Sequence, residues 1–271
     1  MSVFADLHVH TTNSDGEMEL SAVAGAAREA GVSVVAITDH DRLHPELPTP
    51  VTAFEGVTVV HGIELRVDPD PGDYESETAG ERVDLLGYGV APTPDLADEL
   101  DRIQTGREER GRRIIENVED HLGVDIGLEA REGLGRPHVA RAVVDHPDTD
   151  YEAVGEVFDD LIGNDGPCYV AREVTSFERG VELLSDACGL VGLAHPHRYD
   201  DPEAALELTR HLDAVERYYP YDREVDPRTI ERAVAEHDLV PTGGSDAHDD
   251  VLGRAGLSEP EYRHFRSSVN L

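Results

Sequence analysis

Along the first quarter of the chain, short apolar runs alternate with an amphipathic stretch. Residues 3–9, 32–38 and 57–64 read as strands, and an Ala-rich helix over residues 20–30 is stopped by Gly31. Strands separated by helices predict a parallel sheet. Residues 69–80 are rich in Pro, Gly, Asp and Glu, which predicts an exposed turn in a hairpin-like excursion between residues 65–67 and 83–86. The rhythm then breaks. Leu96, Leu100, Ile103, Ile114, Ile115, Val118 and Leu122 recur at helical spacing, and residues 139–144 and 151–161 suggest shorter helices. Alternation resumes with helices over residues 176–188, 204–211 and 227–237 and strands over residues 190–194, 214–216 and 239–242. The pattern predicts an α/β protein, an irregular (β/α) barrel built from residues 1–91 and 176–271. Residues 92–175 are expected to form a helical insertion over the barrel mouth.

Charge changes the picture of the surface more than of the fold. Asp and Glu total 58 against 23 basic residues, a net charge of −35, and every basic residue is Arg. An acidic disordered chain is excluded by the regularly spaced Val, Ile and Leu runs. The composition instead fits a halophilic protein in concentrated salt. There the Debye length is about 3 Å at 1 M, so the acidic surface does not exclude a nucleotide or RNA substrate. The N-terminus enters its first strand within a few residues, and nothing approaches the length of a membrane span, so a cytoplasmic protein is expected. Cys168 and Cys188 lack zinc-motif spacing and are expected to be free thiols.

Five segments at strand ends carry the chemistry: Asp6-Leu7-His8-Val9-His10, Thr38-Asp39-His40-Asp41, Gly62-Ile63-Glu64, Ala194-His195-Pro196 and Gly244-Ser245-Asp246-Ala247-His248. In a strand, residues two apart share a face, so His8 and His10 project together. Any one segment has an ordinary explanation as a surface His or a capped turn. Acidic and imidazole groups after most of the buried strands point instead to one shared pocket lined by oxygen and nitrogen, a metal site.

This ordered series, with Ser14-Asp15-Gly16, resembles the polymerase and histidinol phosphatase (PHP) superfamily of metal-dependent phosphoesterases. Arg136-Pro137-His138-Val139-Ala140-Arg141, Phe158 with Pro167-Cys168-Tyr169-Val170, and Ala194-His195-Pro196-His197-Arg198-Tyr199 resemble the branch containing nucleoside 3′,5′-bisphosphate phosphatases and 5′-to-3′ exoribonucleases. The resemblance implies a distorted seven-stranded barrel and two or three divalent ions, Mn²⁺, Zn²⁺ or Fe²⁺. It places His8, His10, Glu64 and Asp246 on one ion, Asp15, His40 and His248 on another, and Glu64, His195 and a further ligand on a bridged second. At that further position the superfamily usually has His, whereas this chain has Asp84. A carboxylate binds the same ions, so substitution is expected, with a shift toward oxygen-preferring ions such as Mn²⁺.

A metal-bridging hydroxide is the nucleophile the resemblance implies. Arg198 is expected at the pocket rim, holding phosphate, with a surface ion pair to Asp200 or Asp201 as the alternative. Arg136 and His138 are expected to contact substrate, His138 as phosphate contact or leaving-group acid, with a chemically inert helix start as its alternative. For Arg102, Arg107, Arg110, Arg112 and Arg113 a salt-bridged solvent face is preferred over a track for an oligonucleotide. The chain lacks the Gly-rich loop with Lys and Ser/Thr that serves phosphoryl transfer from nucleoside triphosphates, and it lacks a nucleophile elbow. The expected activity is hydrolysis of nucleotide phosphate esters, on a small nucleotide or short RNA, with no membrane and no obligate protein partner. Histidinol-phosphate phosphatase is the alternative within the chemistry. A non-catalytic PHP module is the alternative outside it; it would have lost ligands and be joined to a polymerase region, whereas the ligand positions here carry the superfamily's residues with Asp84 as a substitute at one, so an enzyme is expected.

Overall fold

The structure is a computed structural model and describes residues 2–70, 73, 81–131 and 133–269. It divides into one unit of residues 1–97 and 174–271 and a second of residues 98–173.

The first unit is built on one sheet whose main path runs β1 (Ala5–Val9), β2 (Val34–Ile37), β4 (Val57–Asp68), β5 (Val83–Tyr88), β7 (Leu190–Leu193), β8 (Ala214–Tyr218) and β9 (Val240–Gly243). The short β3 (Val51–Phe54) and β6 (Thr175–Ser176) attach to β4. The two ends of the path meet. His10 N donates to Ala247 O at 3.0 Å and Ala247 N to His8 O at 3.3 Å, which curls the sheet into the seven-stranded distorted barrel. Strands β1, β2, β5 and β7 are buried at every position. Such strands read as continuous apolar runs, broken here only by groups that serve the site.

Helix α1 (Leu20–Ala30) turns Val23, Ala24 and Ala27 to the core and ends at left-handed Gly31, with φ 73°. Helices α5 (Phe177–Ala187), α7 (Pro227–His237) and α8 (Glu259–Val269) bury their apolar stripes in the same way. Ser176 caps α5 and Asp226 caps α7 through side-chain acceptors. Asp201 caps the short α6 (Pro202–Glu207). One core gathers Leu7, Leu86, Tyr88 and Phe265, and another Val35, Ile37, Val59 and Ala27.

Three features depart from the expected pattern. Strand β5 is antiparallel to β7 as well as to its hairpin partner β4, so the sheet beyond the hairpin is mixed rather than parallel. Strand β3 and helix α8 were not foreseen, because neither carries a strong periodic signal: β3 is a four-residue edge strand and α8 has a polar composition. The pairing of β4 with β5 makes the expected hairpin. Of the turn expected at 69–80, residues 71, 72 and 74–80 lie outside the described residues.

The second unit contains most of α2 (Pro94–Leu122), α3 (Arg136–Asp145) and α4 (Val154–Val157), which runs on into a π-helical turn at Phe158–Ile162. Its core packs Ile114, Val118, Val139, Val143 and Leu161. Among the described residues no helix is long and apolar enough to cross a membrane. Cys168 and Cys188 are free, as expected.

Candidate metal centre

The ligand-type side chains named from the sequence come together in the first unit. His8 Nε2 lies 3.3 Å from Glu64 Oε2 and 3.4 Å from Asp246 Oδ1. His10 Nε2 lies 3.3 Å and 3.1 Å from the same two oxygens. Alongside, His40 Nδ1 is 3.0 Å from Glu64 Oε2, and its Nε2 is 3.8 Å from Asp15 Oδ2. His248 Nε2 is 3.4 Å from Asp15 Oδ1. Two four-residue groups result, each with ligand atoms converging on one point: His8, His10, Glu64 and Asp246, and His10, Asp15, His40 and His248. A third group joins His40, Glu64 and Asp84. His195 Nε2 closes on Glu64 Oε1 at 3.0 Å and reaches within 3.8 Å of Asp84 Oδ2.

The donor set fits divalent ions. His10 Nδ1 and His195 Nδ1 are buried with no hydrogen-bond partner, and His8 Nε2 and Glu64 Oε2 meet only other ligand-type atoms, a costly state for polar atoms unless a cation takes the lone pairs. The charges point the same way. Burial pulls His8 down, but the carboxylates of Glu216, Glu64 and Asp246 outweigh it and hold the imidazole well above its ordinary range. His40 behaves alike: burial lowers it, Glu64 and Asp15 reverse this, and it rises to about 9. Burial would raise Asp246, yet His8 and His10 drive it far below the usual carboxylate range. Glu64 is likewise held well below its usual range by His40 and His8 against its burial. Imidazoles and carboxylates here stabilise one another's charges, a role a bound cation takes over.

A second layer of side chains fixes these groups, and sequence reasoning missed most of it. Fully buried Glu216 on β8 lies 3.1 Å from His8 Nδ1 and accepts from His195 N at 2.8 Å. With Nδ1 donating to Glu216, the Nε2 lone pair of His8 faces the cavity. Asp39 accepts from Thr11 N at 2.7 Å and from the Ser14 hydroxyl at 2.8 Å, ordering the loop that carries Asp15. Asp6 accepts from Ser245 N at 2.8 Å and from Gly253 N, tying β1 to the segment that carries Asp246 and His248. Gly244 approaches so closely that a Cβ there would lie 2.3 Å from His8 N. His195 (φ 28°) and Asp246 (φ 48°) adopt left-handed backbone, which costs energy for residues with a Cβ and persists where neighbours over-determine it. Glu216 supplies that restraint for His195, and the Tyr219 hydroxyl, 2.8 Å from Asp246 Oδ2, does so for Asp246.

Asp15, His40, Glu64, Asp84, His195, Asp246 and His248 line a cavity of about 380 Å³ together with Arg66, Arg82, Arg198 and Tyr199. Arg198 is not paired with Asp200 or Asp201. Its Nη1 donates to Asp246 Oδ2 at 2.9 Å and to the Tyr219 hydroxyl at 3.1 Å, which keeps the guanidinium in the cavity wall. Asp84 accepts from Arg66 Nε at 2.7 Å and from Arg66 Nη2 in a forked pair. Arg136 and His138 belong to the second unit. Arg136 donates to Ile162 O and Asn164 and lies over the Phe158 and Tyr169 rings, while His138 Nδ1 accepts from Gly135 N at the start of α3.

A curled seven-stranded sheet with clustered imidazoles and carboxylates at its strand ends is the architecture of a PHP-type metal-dependent phosphoesterase, a hydrolase. Residues 6–86 match the PHP domain. It is similar to the phosphoribosyl 1,2-cyclic phosphate 1,2-diphosphodiesterase of Eggerthella lenta, 29% identical over 90% of this chain and 93% of the relative. It is also similar to the 3′,5′-nucleoside bisphosphate phosphatase of Chromobacterium violaceum (28% identical, 74% of this chain, 70% of the relative) and to the 5′-3′ exoribonuclease Rnm of Escherichia coli (28% identical, 91% and 86%). A solved structure from Bifidobacterium adolescentis, described as a metal-dependent phosphoesterase, shares the fold with a TM-score of 0.72 at 21% identity over 99% of this chain and 97% of that one.

Proposed function

We propose that this protein hydrolyses phosphate esters of nucleotides, either a nucleoside 3′,5′-bisphosphate or the 5′ end of a short RNA, using divalent ions such as Mn²⁺, Zn²⁺ or Fe²⁺. The observation that carries the reading is a cavity in which metal-ligand side chains with orphaned polar atoms stand beside Arg198, a guanidinium turned toward the same space. Relatives of like length that act on nucleotides or RNA support it.

His8, His10, Glu64 and Asp246 would hold one ion, and Asp15, His40 and His248 a neighbour. Bound divalent ions lower the pKa of water toward about 7 and neutralise phosphoryl oxygens. The chain's own residues do the rest. Glu216 fixes the tautomer and aim of His8, Arg198 and Tyr219 hold Asp246 in place, and the exposed edge of the Arg198 guanidinium binds a phosphate oxygen. Arg136 and His138 are assigned to substrate on their sequence motif. The acidic, Lys-free composition supports a protein working in the concentrated salt of a cytoplasm.

The test is turnover by the Mn²⁺-loaded protein in high salt. Adenosine 3′,5′-bisphosphate, a short 5′-phosphorylated RNA, phosphoribosyl 1,2-cyclic phosphate and histidinol phosphate would be compared. A preference for either of the first two supports the reading, and a preference for either of the last two replaces it.

A further inference from the structure

Asp84 differs from the ligand-type groups around it in how its carboxylate is held. His8, His10, Glu64 and His195 each carry a buried polar atom without a hydrogen-bond partner, and Asp246 gives only its outer oxygen to Arg198 and Tyr219 while its inner oxygen faces the imidazoles. Neither oxygen of Asp84 is left over. Both accept from one guanidinium: Arg66 Nε reaches Oδ1 at 2.7 Å, and Arg66 Nη2 closes on Oδ2. Asp84 N donates to the Tyr199 hydroxyl at 2.8 Å, fixing the backbone from which the carboxylate projects. The pairing is built into the sheet, because Arg66 on β4 and Asp84 on β5 are directly opposed in the antiparallel register. The carboxylate is 1% exposed, while 42% of the Arg66 side chain is open and lines the cavity.

A forked, charge-assisted pair with one partner buried is among the stronger polar contacts a protein makes, and a guanidinium cannot shed its proton. A divalent cation drawn to Asp84, Glu64 and His195 would have to take a carboxylate oxygen from Arg66 and sit beside its positive charge, and both disfavour it.

We propose that Arg66 stands in the place of a bridged second ion, so that this chain binds two divalent ions rather than three, with the Arg66 guanidinium supplying the third positive charge to the substrate phosphate. The two ions occupy the groups His8, His10, Glu64, Asp246 and His10, Asp15, His40, His248. His195 then serves to hold Glu64. Because the Arg66 side chain is half-open to the cavity, its free edge is available to a phosphate oxygen while its other edge stays on Asp84. This rests on the metal-dependent reading above, and the count of ions separates the two.

The experiment is metal stoichiometry. Protein loaded with Mn²⁺, then dialysed against metal-free high-salt buffer, is measured by inductively coupled plasma mass spectrometry per chain. Two ions are expected for the wild type and two for Asp84→Asn, since a group that is not a ligand is lost without consequence for the count. Three ions in the wild type would overturn the proposal, as would the loss of one ion in Asp84→Asn. No bound ion at all would sink the metal-dependent reading itself and leave Arg66 without a cation to replace. The wild-type count decides even if Asp84→Asn fails to fold. As the second readout, Arg66→Ala is expected to raise KM for a phosphate substrate roughly tenfold or more. An unchanged KM would remove the phosphate contact from the proposal.

Discussion

Arg198 Nη1 lies 2.9 Å from Asp246 Oδ2, and the Tyr219 hydroxyl lies 2.8 Å from the same oxygen. The Asp246 carboxylate is thus clamped by a cation and a phenol on its outer oxygen while its inner oxygen faces His8 and His10. Arg198→Ala leaves Tyr219 in place, so ion content should stay at the wild-type level. Turnover of a nucleoside bisphosphate should fall roughly ten- to hundred-fold, the cost of one charge-assisted contact. Turnover of p-nitrophenyl phosphate should fall much less. Equal losses on both substrates would put Arg198 on the reacting phosphate, and no loss on either would reduce it to a support for Asp246.

Glu216 touches no cavity space yet orients two imidazole-bearing residues, His8 through its ring and His195 through its backbone N–H. Glu216→Gln preserves volume and removes the charge. Partners of this type contribute roughly ten- to hundred-fold in ion affinity, so the variant should titrate with Mn²⁺ at correspondingly higher concentration. Calorimetric titration in high salt checks it. An unchanged affinity would show that the tautomer of His8 is set elsewhere.

Ion uptake should be proton-coupled. In the ion-free protein His40 is raised to about 9, so it is protonated at neutral pH, and an ion must displace that proton. Apparent affinity should therefore climb as pH rises and level off above about 9, with protons released on binding at pH 7. The sign for stability is the reverse. A raised His contributes to the ion-free fold fully below its unfolded value near 6.5 and loses that contribution as pH passes through about 9. Melting of ion-free protein across that window, compared with His40→Gln, isolates the effect. Equal slopes for the two proteins would contradict it.

Salt should matter to the whole molecule. With a net charge of −35, self-repulsion opposes compaction wherever it is unscreened. Dialysis from molar salt into dilute buffer should lower Tm steeply and inactivate the enzyme. A Tm that does not move between the two would remove the halophilic reading.

The sequence carried the ligand series because metal chemistry restricts residue type, and strand periodicity puts such residues on one face. Helix α1 and helix α7 were legible to the residue, since Gly31 and Pro227 punctuate strong apolar stripes. Glu216 was not read as functional, although an acidic residue closing the short apolar run at 214–216 is the kind of signal that exposes a buried carboxylate. Arg66 was not singled out, although the expected hairpin between residues 65–67 and 83–86 carries it, because an Arg beside an exposed turn reads as an ordinary surface cation until the register sets it opposite Asp84. The Arg run on α2 is mixed in outcome. Arg102 pairs with Glu99 and Arg112 with Glu108, as the salt-bridged face predicts, while Arg110 turns inward to Val170 O and the Tyr169 ring.

The junction where the sheet closes also has a temporal meaning. His8 and His10 are made long before Asp246, His248 and the Ala247 backbone groups that bind β1. A chain growing from its N-terminus therefore carries only incomplete ligand groups until the segment at 246–248 is made and closes on β1.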